Sequence, residues 1–372
     1  MDGVHLRHYP CLDGLRGVAI LLVIPHNADI IDPVLSGPLL IFTVLGNRGW
    51  VGVELFFVLS GFLITEQLLL SKEAKNYFAW FYVRRALRTV PLFVLAVLLG
   101  LFLMRVFGGP GHAMTATPAW LLLFGLLVVN WTEPSGLSFP GLPQLWSLAV
   151  EEQFYLVWPL LVRQLASRLA VVTLALAAIA LVTRMCLLLT GAAPLKVYMS
   201  SVCRMDALAF GALAAVIVQR WRRRHIAPRP SLWIISAFLV ALIGALCTRL
   251  YAGDTWATQT LGYSCLGLSC MLLILGAVGG DISRQQSFVL SILRSRGLAS
   301  IGRYSYGMYV FHMFFVIFAG VWIKRLAAPF GDARMVFGAL LVLVLSYAAG
   351  FASYNLYEKY FLRVGRRAVP LT

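Results

Sequence analysis

The sequence is poor in charged residues, and this shortage is its most informative property. Only 12% of its 372 residues are charged, whereas a soluble globular domain carries roughly a quarter. Acidic residues are especially few, with 15 Asp and Glu against 31 Lys and Arg. In their place the chain has 60% hydrophobic residues and a mean hydropathy of +0.84. This composition argues against a soluble protein and favours an integral membrane protein.

Several common functional patterns are also missing. The six cysteines form no CxxC pair and lie in or beside apolar runs, so the sequence predicts neither a zinc site nor a disulfide framework. No GxSxG nucleophile elbow occurs, and a serine acyl-enzyme is therefore not indicated. The first apolar run is not followed by a small-residue cleavage site, so we expect it to be retained. We predict no metal and no nucleic-acid partner.

Continuous apolar runs, each near the length of roughly 20 residues that a membrane-crossing helix needs, recur along the chain. They are rich in Leu, Val, Ala and Phe and do not alternate in steps of two, which argues against a β-barrel. The sequence thus predicts an all-α polytopic transmembrane bundle, with runs at 14–31, 50–70, 89–107, 118–131, 148–162, 169–190, 205–219, 231–250, 258–279, 304–326 and 335–360.

The connecting segments differ in charge. Positive residues mark cytoplasmic loops of membrane proteins, and they concentrate in 71–88, 220–229, 284–303 and the tail after 360. Five apolar runs lie between the first two basic segments, yet an even number of crossings must connect them. We therefore expect about ten spans, with one re-entrant or half-depth element. The protein is expected in a bacterial inner membrane, with both termini on the cytoplasmic side. Its expected place is 118–131 or 148–162, with the WSLAVEEQF segment of the second favoured.

Ionisable residues inside the first run point to a function. Asp13, Arg16 and His26 lie within or beside it, and such groups are costly in lipid unless they face a protein interior or a water-filled cavity. Arg16 alone has an ordinary explanation, because an arginine near a helix end can extend to the interface. An arginine and a histidine on one helix are harder to explain in that way.

The run and its successors resemble the acyltransferase-3 family. LDGLRG followed by a span ending in His is similar to that family's first helix. Five further segments match in the family's order and together cover most of the chain: GVELFFVLSGFLI (52–64), FYVRRALRTVP (81–91), WSLAVEEQFYLVWP (146–159), RMDALAFGAL (204–213) and SYGMYVFHMF (305–314).

This resemblance implies a bundle of about ten helices that moves an acyl group, usually acetyl from acetyl-coenzyme A, to a hydroxyl of a sugar-containing acceptor. Acceptors in the family include lipopolysaccharide and peptidoglycan sugars. We expect residues 1–372 to form a single transmembrane acyltransferase domain without a fused soluble domain. Acyl-coenzyme A is expected as a donor substrate, with no permanently bound cofactor, and membrane lipids as the remaining partners.

The resemblance implies that His26 is the general base and that Arg16 is part of the catalytic pair. A histidine with a pKa near 6.5 suits proton removal from a sugar hydroxyl; the alternative is a hydrogen-bonded interior histidine. The family usually has ten residues between these two, and this chain has nine. On a regular helix that places the side chains about 80° apart. We therefore predict that Pro25 kinks or tightens the last turn and rotates His26 back toward Arg16.

Arg85 and Arg88 match the family's Arg-x-x-Arg pattern, so we expect them to bind coenzyme A phosphates through their guanidinium groups. Positive-inside anchoring is the alternative, and it suits Arg84 better.

The remaining candidates are less specific. Glu54, with Asp29, could orient the imidazole of the base. Trp146 could stack on a sugar or anchor the interface. Adjacent Glu151 and Glu152 point about 100° apart and are not expected to serve one site equally, with Glu152 favoured. Arg204 and Asp206 are expected to form an intramembrane ion pair. For His312, a packing role is favoured over catalysis.

A transporter or flippase for a lipid-linked sugar or small metabolite is the competing prediction. Interior charges and a re-entrant segment would suit it equally. The absence of visible two-fold internal repetition and the presence of the Arg–His pair favour the enzyme.

Overall fold

A computed structural model gives the fold of this chain. It describes residues 8–28, 46–107, 128–132, 142–226, 228–248, 251, 255–329 and 334–371. Within these ranges the regular structure is helical, without a β-strand. The all-α prediction is therefore confirmed. Asp29 and most of the 118–131 run lie outside the described residues.

The described residues form fifteen α-helices. In chain order they are α1 (Pro10–Asn27), α2 (Val51–Leu70), α3 (Tyr77–Phe107), α4 (Val129–Thr132), α5 (Leu145–Leu165), α6 (Leu169–Leu189), α7 (Pro194–Met199), α8 (Ser201–Arg223), α9 (Pro230–Cys247), α10 (Tyr263–Ser283), α11 (Phe288–Leu293), α12 (Arg296–Phe318), α13 (Gly320–Ala327), α14 (Arg334–Ser353) and α15 (Lys359–Ala368). Single π-helical turns, Thr258–Gly262 and Tyr354–Glu358, precede α10 and α15.

Seven helical stretches in the described part of the chain have the length and hydropathy of a membrane crossing. This number differs from the predicted ten or so. Part of the difference is that α5 and α6 run together as one stretch, Leu145–Leu189, joined by a short 3₁₀ turn at Ala166–Arg168. In addition, α1 and α12 are 18 and 23 residues long but are absent from the seven.

The expected half-depth element does not coincide with WSLAVEEQF. That segment lies within α5, a regular helix of 21 residues, which at 1.5 Å per residue reaches roughly 30 Å and matches the bilayer core. Its two glutamates do not shorten it, because they face an arginine of a neighbouring helix, as described below. This length argues against a half-depth element at 148–162, and the other candidate run lies mostly outside the described residues.

The outer helices expose apolar side chains. Along α9, Leu232, Ile235, Phe238, Leu239 and Leu242 are each more than half exposed. A soluble protein rarely shows an apolar surface of that extent, whereas lipid would cover it. Together with the seven apolar stretches, this surface identifies an integral membrane protein.

The inner helices approach one another closely at glycines. A Cβ atom added to Gly61 of α2 would lie 2.0 Å from the Leu208 carbonyl oxygen of α8, and one added to Gly211 would lie 2.0 Å from that of Val58. Small residues that let helix backbones meet are typical of membrane bundles. These contacts fix α2 and α8 side by side in the centre of the protein.

One end of the bundle, here called the basic end, gathers the start of α1 and the ends of α2 and α8. There the Tyr9 hydroxyl donates to Glu66 Oε1 at 2.7 Å, and Arg222 Nη2 lies 2.8 Å from the same oxygen. The chain after α15 reaches this end too, since Asn76 Nδ2 donates to the Pro370 carbonyl at 2.5 Å. The basic segments of the sequence therefore meet on one side of the protein.

Candidate active site

Two adjoining cavities enter the protein from the basic end. The larger, of about 360 Å³, lies between α1, α2, α3 and α15. The smaller, of about 100 Å³, continues inward between α2, α3, α5 and α12. Both are lined by Arg16, Ser60, Arg85 and Arg88. Three of the four predicted catalytic and donor-binding residues thus meet where the cavities join.

The larger cavity is strongly positive. Five arginines line it, and the single carboxylate among its lining residues, Asp13, lies 2.6 Å from His8 Nε2. In the described part of the chain, Arg16 and Arg88 form neither an ion pair nor a hydrogen bond. Unpaired guanidinium groups in a cavity are suited to bind an anion, above all a phosphate.

Arg85 is held by the protein itself. Its Nη2 lies 3.4 Å from Glu151 Oε2 and its Nε lies 3.6 Å from Glu152 Oε1, while its guanidinium stacks on Tyr155 at 3.8 Å. The two glutamates contact one guanidinium but do not serve the site equally, since Glu151 lines the smaller cavity and Glu152 does not; the preference for Glu152 stays a prediction. Adjacent residues point apart on a helix, but a guanidinium has donors on two edges and can reach both.

A hydrogen-bonded chain extends from this pair to the junction of the cavities. The Tyr155 hydroxyl donates to Glu151 Oε2 at 2.7 Å and also contacts the Ser60 hydroxyl. On the far wall of the smaller cavity, the Ser147 and Tyr309 hydroxyls are 2.6 Å apart. The smaller cavity therefore offers a row of hydroxyl and carboxylate groups beside Arg16 and Arg88.

A second buried cluster joins α2, α6, α8 and α10. Arg204 pairs with Glu54, and Arg184 Nη2 lies 2.7 Å from Asp206 Oδ2. The predicted Arg204–Asp206 pair is wrong, because residues two apart on a helix point to opposite sides. Arg184 escaped the sequence analysis although a lone arginine in an apolar run is itself a signal.

Aromatic rings enclose the Arg204 guanidinium. It lies 4.5 Å from the Tyr263 ring and 5.1 Å from that of Tyr198. Trp146 packs on Tyr198 with ring centroids 4.8 Å apart and is only 6% exposed. Trp146 is thus part of the protein interior. Neither it nor the Glu54–Arg204 pair lines the two cavities.

His26 lies at the opposite end of α1 from the basic end. Its Nδ1 is 2.6 Å from the Gly46 carbonyl oxygen, and its Cβ packs against Gly49, so the half-buried ring faces protein. Since a carbonyl accepts only, Nδ1 carries the proton and Nε2 is left with a free electron pair. Gly46 therefore orients the imidazole, and Glu54, engaged with Arg204, does not.

The last turn of α1 differs from the prediction. The helix stays α-helical to Asn27 with Pro25 inside it. Tightening is confined to its end, where the Ala28 amide is 3.1 Å from the Ile24 carbonyl and 3.2 Å from that of Pro25. The predicted 3₁₀ winding before His26 is therefore wrong, and among the described cavities none contains both Arg16 and His26.

His312 is fully buried and separate from both cavities. Its Nδ1 lies 2.6 Å from the Tyr309 carbonyl oxygen, and its Nε2 has no hydrogen-bond partner among the described residues. Those residues also contain no group of three or more His, Cys, Asp or Glu side chains arranged to hold a metal ion.

Comparison with known proteins finds similarity to O-acetyltransferases. The peptidoglycan O-acetyltransferase OatA of Listeria monocytogenes is 29% identical over 327 residues, which are 82% of this chain and 49% of the relative. The O-acetyltransferase OatA of Staphylococcus aureus is 26% identical over 383 residues, 97% of this chain and 58% of the relative. The chain thus spans about half the length of these relatives.

No solved structure gives a significant match. The model of the acyltransferase-3 family, described as an acyltransferase domain, matches residues 9–354. That range contains α1, the junction of the two cavities and all lining residues of the smaller cavity, whereas α15 lies beyond it. The chain therefore belongs to the acyltransferase-3 family of membrane acyltransferases.

Proposed function

We propose that this chain transfers an acetyl group from acetyl-coenzyme A to a hydroxyl of a sugar-containing acceptor. The observation that carries the proposal is the junction of the two cavities at Arg16, Arg85 and Arg88. The names of the relatives favour peptidoglycan as the acceptor class. A transporter remains the competing function, and the family membership argues against it.

The donor enters from the basic end. Its phosphates bind the larger cavity, where Arg88 supplies an unpaired guanidinium and Arg85 one whose position Glu151 and Glu152 fix. The narrower cavity then receives the thioester arm beside Ser60 and Tyr309. If the basic end is cytoplasmic, as the positive-inside rule predicts, the donor comes from the cytoplasm of a bacterium and the protein lies in its inner membrane.

His26 acts as the general base in this proposal. Its Nε2 removes the proton from the sugar hydroxyl while the oxygen attacks the thioester carbonyl. The carbon–sulfur bond breaks, and coenzyme A leaves as the thiol after receiving a proton. The Gly46 carbonyl fixes the tautomer that this role needs. His26 lies ten positions after Arg16, about 15 Å along the helix axis, so the extended arm of the donor must reach past the smaller cavity.

The test uses purified protein, acetyl-coenzyme A and a peptidoglycan fragment. We expect coenzyme A release to require the acceptor, and His26→Ala to lower the rate by 100-fold or more, since general-base catalysis contributes about 10²–10⁴-fold. His225→Ala is the matched control, because His225 is exposed after α8. Full activity in His26→Ala would eliminate the general base. Absence of transfer with any acyl donor, together with uptake into vesicles, would favour transport.

A further inference from the structure

The outer wall of the larger cavity is built by α15. Leu362, Gly365 and Arg366 line the cavity from this helix, and their spacing places them on one face. Gly365 is buried against α3, where an added Cβ would lie 3.4 Å from Leu87 Cδ1. The Arg84 Nη2 atom lies 3.4 Å from the Arg366 carbonyl oxygen. The C-terminal helix is therefore fixed at the mouth of the cavity.

Two buried donors at this mouth lack an acceptor. Trp80 is 3% exposed and lines the cavity, yet its indole N–H has no hydrogen-bond partner among the described residues. The same is true of Arg84 Nε, whose guanidinium lies over the Trp80 ring at 4.8 Å. A buried donor without an acceptor has lost its hydrogen bonds to water without replacing them, which is unfavourable. Acceptors supplied by a ligand would recover that cost.

The positive charge at the mouth is not neutralised by the protein. In the part of the chain that the structure describes, Arg84 and Arg366 form no ion pair with a carboxylate. Asp13, the acidic residue that lines the same cavity, is engaged with His8. Two guanidinium groups beside an indole N–H form a site for a phosphate group rather than for a neutral ligand.

We propose that Trp80, Arg84 and Arg366 bind the phosphate on the ribose of the acyl-coenzyme A donor. Coenzyme A carries phosphate at two places, a diphosphate in its middle and a single phosphate at its nucleotide end. When the thioester points into the smaller cavity, the diphosphate lies beside Arg85 and Arg88 and the nucleotide end lies at the mouth. This assignment rests on the proposed function, specifically on coenzyme A as the donor.

The test compares coenzyme A with dephospho-coenzyme A, which lacks only the ribose phosphate. Binding is measured by calorimetry on the full chain in phosphatidylcholine nanodiscs. We expect Arg366→Ala to weaken coenzyme A binding by about tenfold, the effect of one charge-assisted hydrogen bond, and to leave dephospho-coenzyme A unchanged. Arg366→Lys should restore most of the affinity. Arg367→Ala is the matched control, since Arg367 is exposed on the same helix but does not line the cavity.

The outcomes separate the two proposals. Suppose that the wild-type protein binds coenzyme A. If Arg366→Ala then binds it equally well, or loses affinity for coenzyme A and dephospho-coenzyme A alike, the ribose-phosphate site is refuted. The proposal that coenzyme A is the donor would stand. Wild-type protein that binds neither nucleotide would refute the donor and with it the site. Repeating the titration with phosphatidylglycerol nanodiscs tests an anionic lipid headgroup as the occupant. If anionic lipid abolishes the Arg366-dependent part of coenzyme A binding, the site binds the lipid headgroup and the ribose-phosphate assignment is refuted.

Discussion

Arg85 and Arg88 lie one helical turn apart and line the same cavities, yet their surroundings differ. Arg85 contacts Glu151, Glu152 and Tyr155, whereas Arg88 forms no ion pair within 4 Å of a carboxylate in the described residues. We therefore expect Arg88→Ala to raise the KM for acetyl-coenzyme A about tenfold or more, the effect of a lost charged hydrogen bond, without changing the melting temperature. Arg85→Ala should also lower that temperature, because it leaves two partly buried carboxylates without their positive partner.

Steady-state kinetics and thermal unfolding in detergent distinguish these effects. Arg363→Ala serves as the control, since Arg363 is exposed and lines neither cavity. Equal loss of stability in Arg85→Ala and Arg88→Ala would contradict the different roles assigned to them.

The Glu54–Arg204 pair allows a second test at this scale. Both side chains are fully buried, and removing one partner from a buried pair costs about 3–5 kcal/mol because the other charge is left uncompensated. We expect Arg204→Met to unfold at a markedly lower temperature than wild type, and the double variant Glu54→Leu/Arg204→Met to recover part of the loss. Exposed Arg223→Ala is the control. A double variant less stable than Arg204→Met would show that the pair is not the source of the effect.

Residue types were easier to predict than their partners. Arg16 could be selected because arginine is rare in apolar segments, and Arg85 and Arg88 because they match the Arg-x-x-Arg pattern of the family that the chain resembles. The structure brings all three to one place. Which acid pairs with which arginine depends on helix neighbours that the sequence does not order. Arg204 therefore pairs across helices with Glu54, and Asp206 pairs with Arg184 from a run that had seemed purely apolar.

At the scale of the helices, the contact between α2 and α8 positions both buried clusters. Gly61 follows Ser60 at the cavity junction and meets the Leu208 carbonyl of α8. We expect Gly61→Ala to destabilise the protein by about 1–3 kcal/mol, since an added methyl must push two backbones apart. Gly297→Ala is the matched control, because nothing lies within 4 Å of a Cβ there.

Thermal unfolding of the two glycine variants gives the comparison. Because alanine is the better helix former, Gly297→Ala should be neutral or slightly stabilising. Equal melting temperatures for Gly61→Ala and wild type would show that the helices can separate without cost.

The continuous apolar runs located most helices but not their ends, since α3 begins at Tyr77 and the predicted run at 89. Local irregularities were harder to predict. The run at 148–162 seemed too short and too acidic to cross a membrane, yet it belongs to the 21-residue α5, since Arg85 compensates its glutamates. Pro25 seemed to require a distorted turn, yet it fits within an α-helix that ends two residues later. Near a helix end few hydrogen bonds remain to be broken by a proline, which limits its effect.

At the scale of the whole molecule, contacts place the basic segments on one side. The loop before α3 meets the C-terminal tail through Asn76 and Pro370, and it meets the end of α5 through Arg163, whose Nη1 lies 3.4 Å from the Ala74 carbonyl oxygen. Four long helices, α3, α5, α6 and α8, lie between this loop and the next basic segment. Four crossings return the chain to its starting side, as the positive-inside rule requires.

Two lysines test this topology directly. Lys75 lies in the loop before α3, and Lys196 lies in the short α7 between α6 and α8; both are exposed. In a variant whose six native cysteines are replaced by alanine or serine, we expect a membrane-impermeant maleimide to modify Lys75→Cys only in inverted vesicles and Lys196→Cys only in intact cells. Three long helices, α3, α5 and α6, lie between the two positions in the chain. If each crosses the membrane once, the two positions lie on opposite sides of it. Modification of both from the same side would mean that one of these helices does not cross, and the entry of the donor from the cytoplasm would then lose its structural basis.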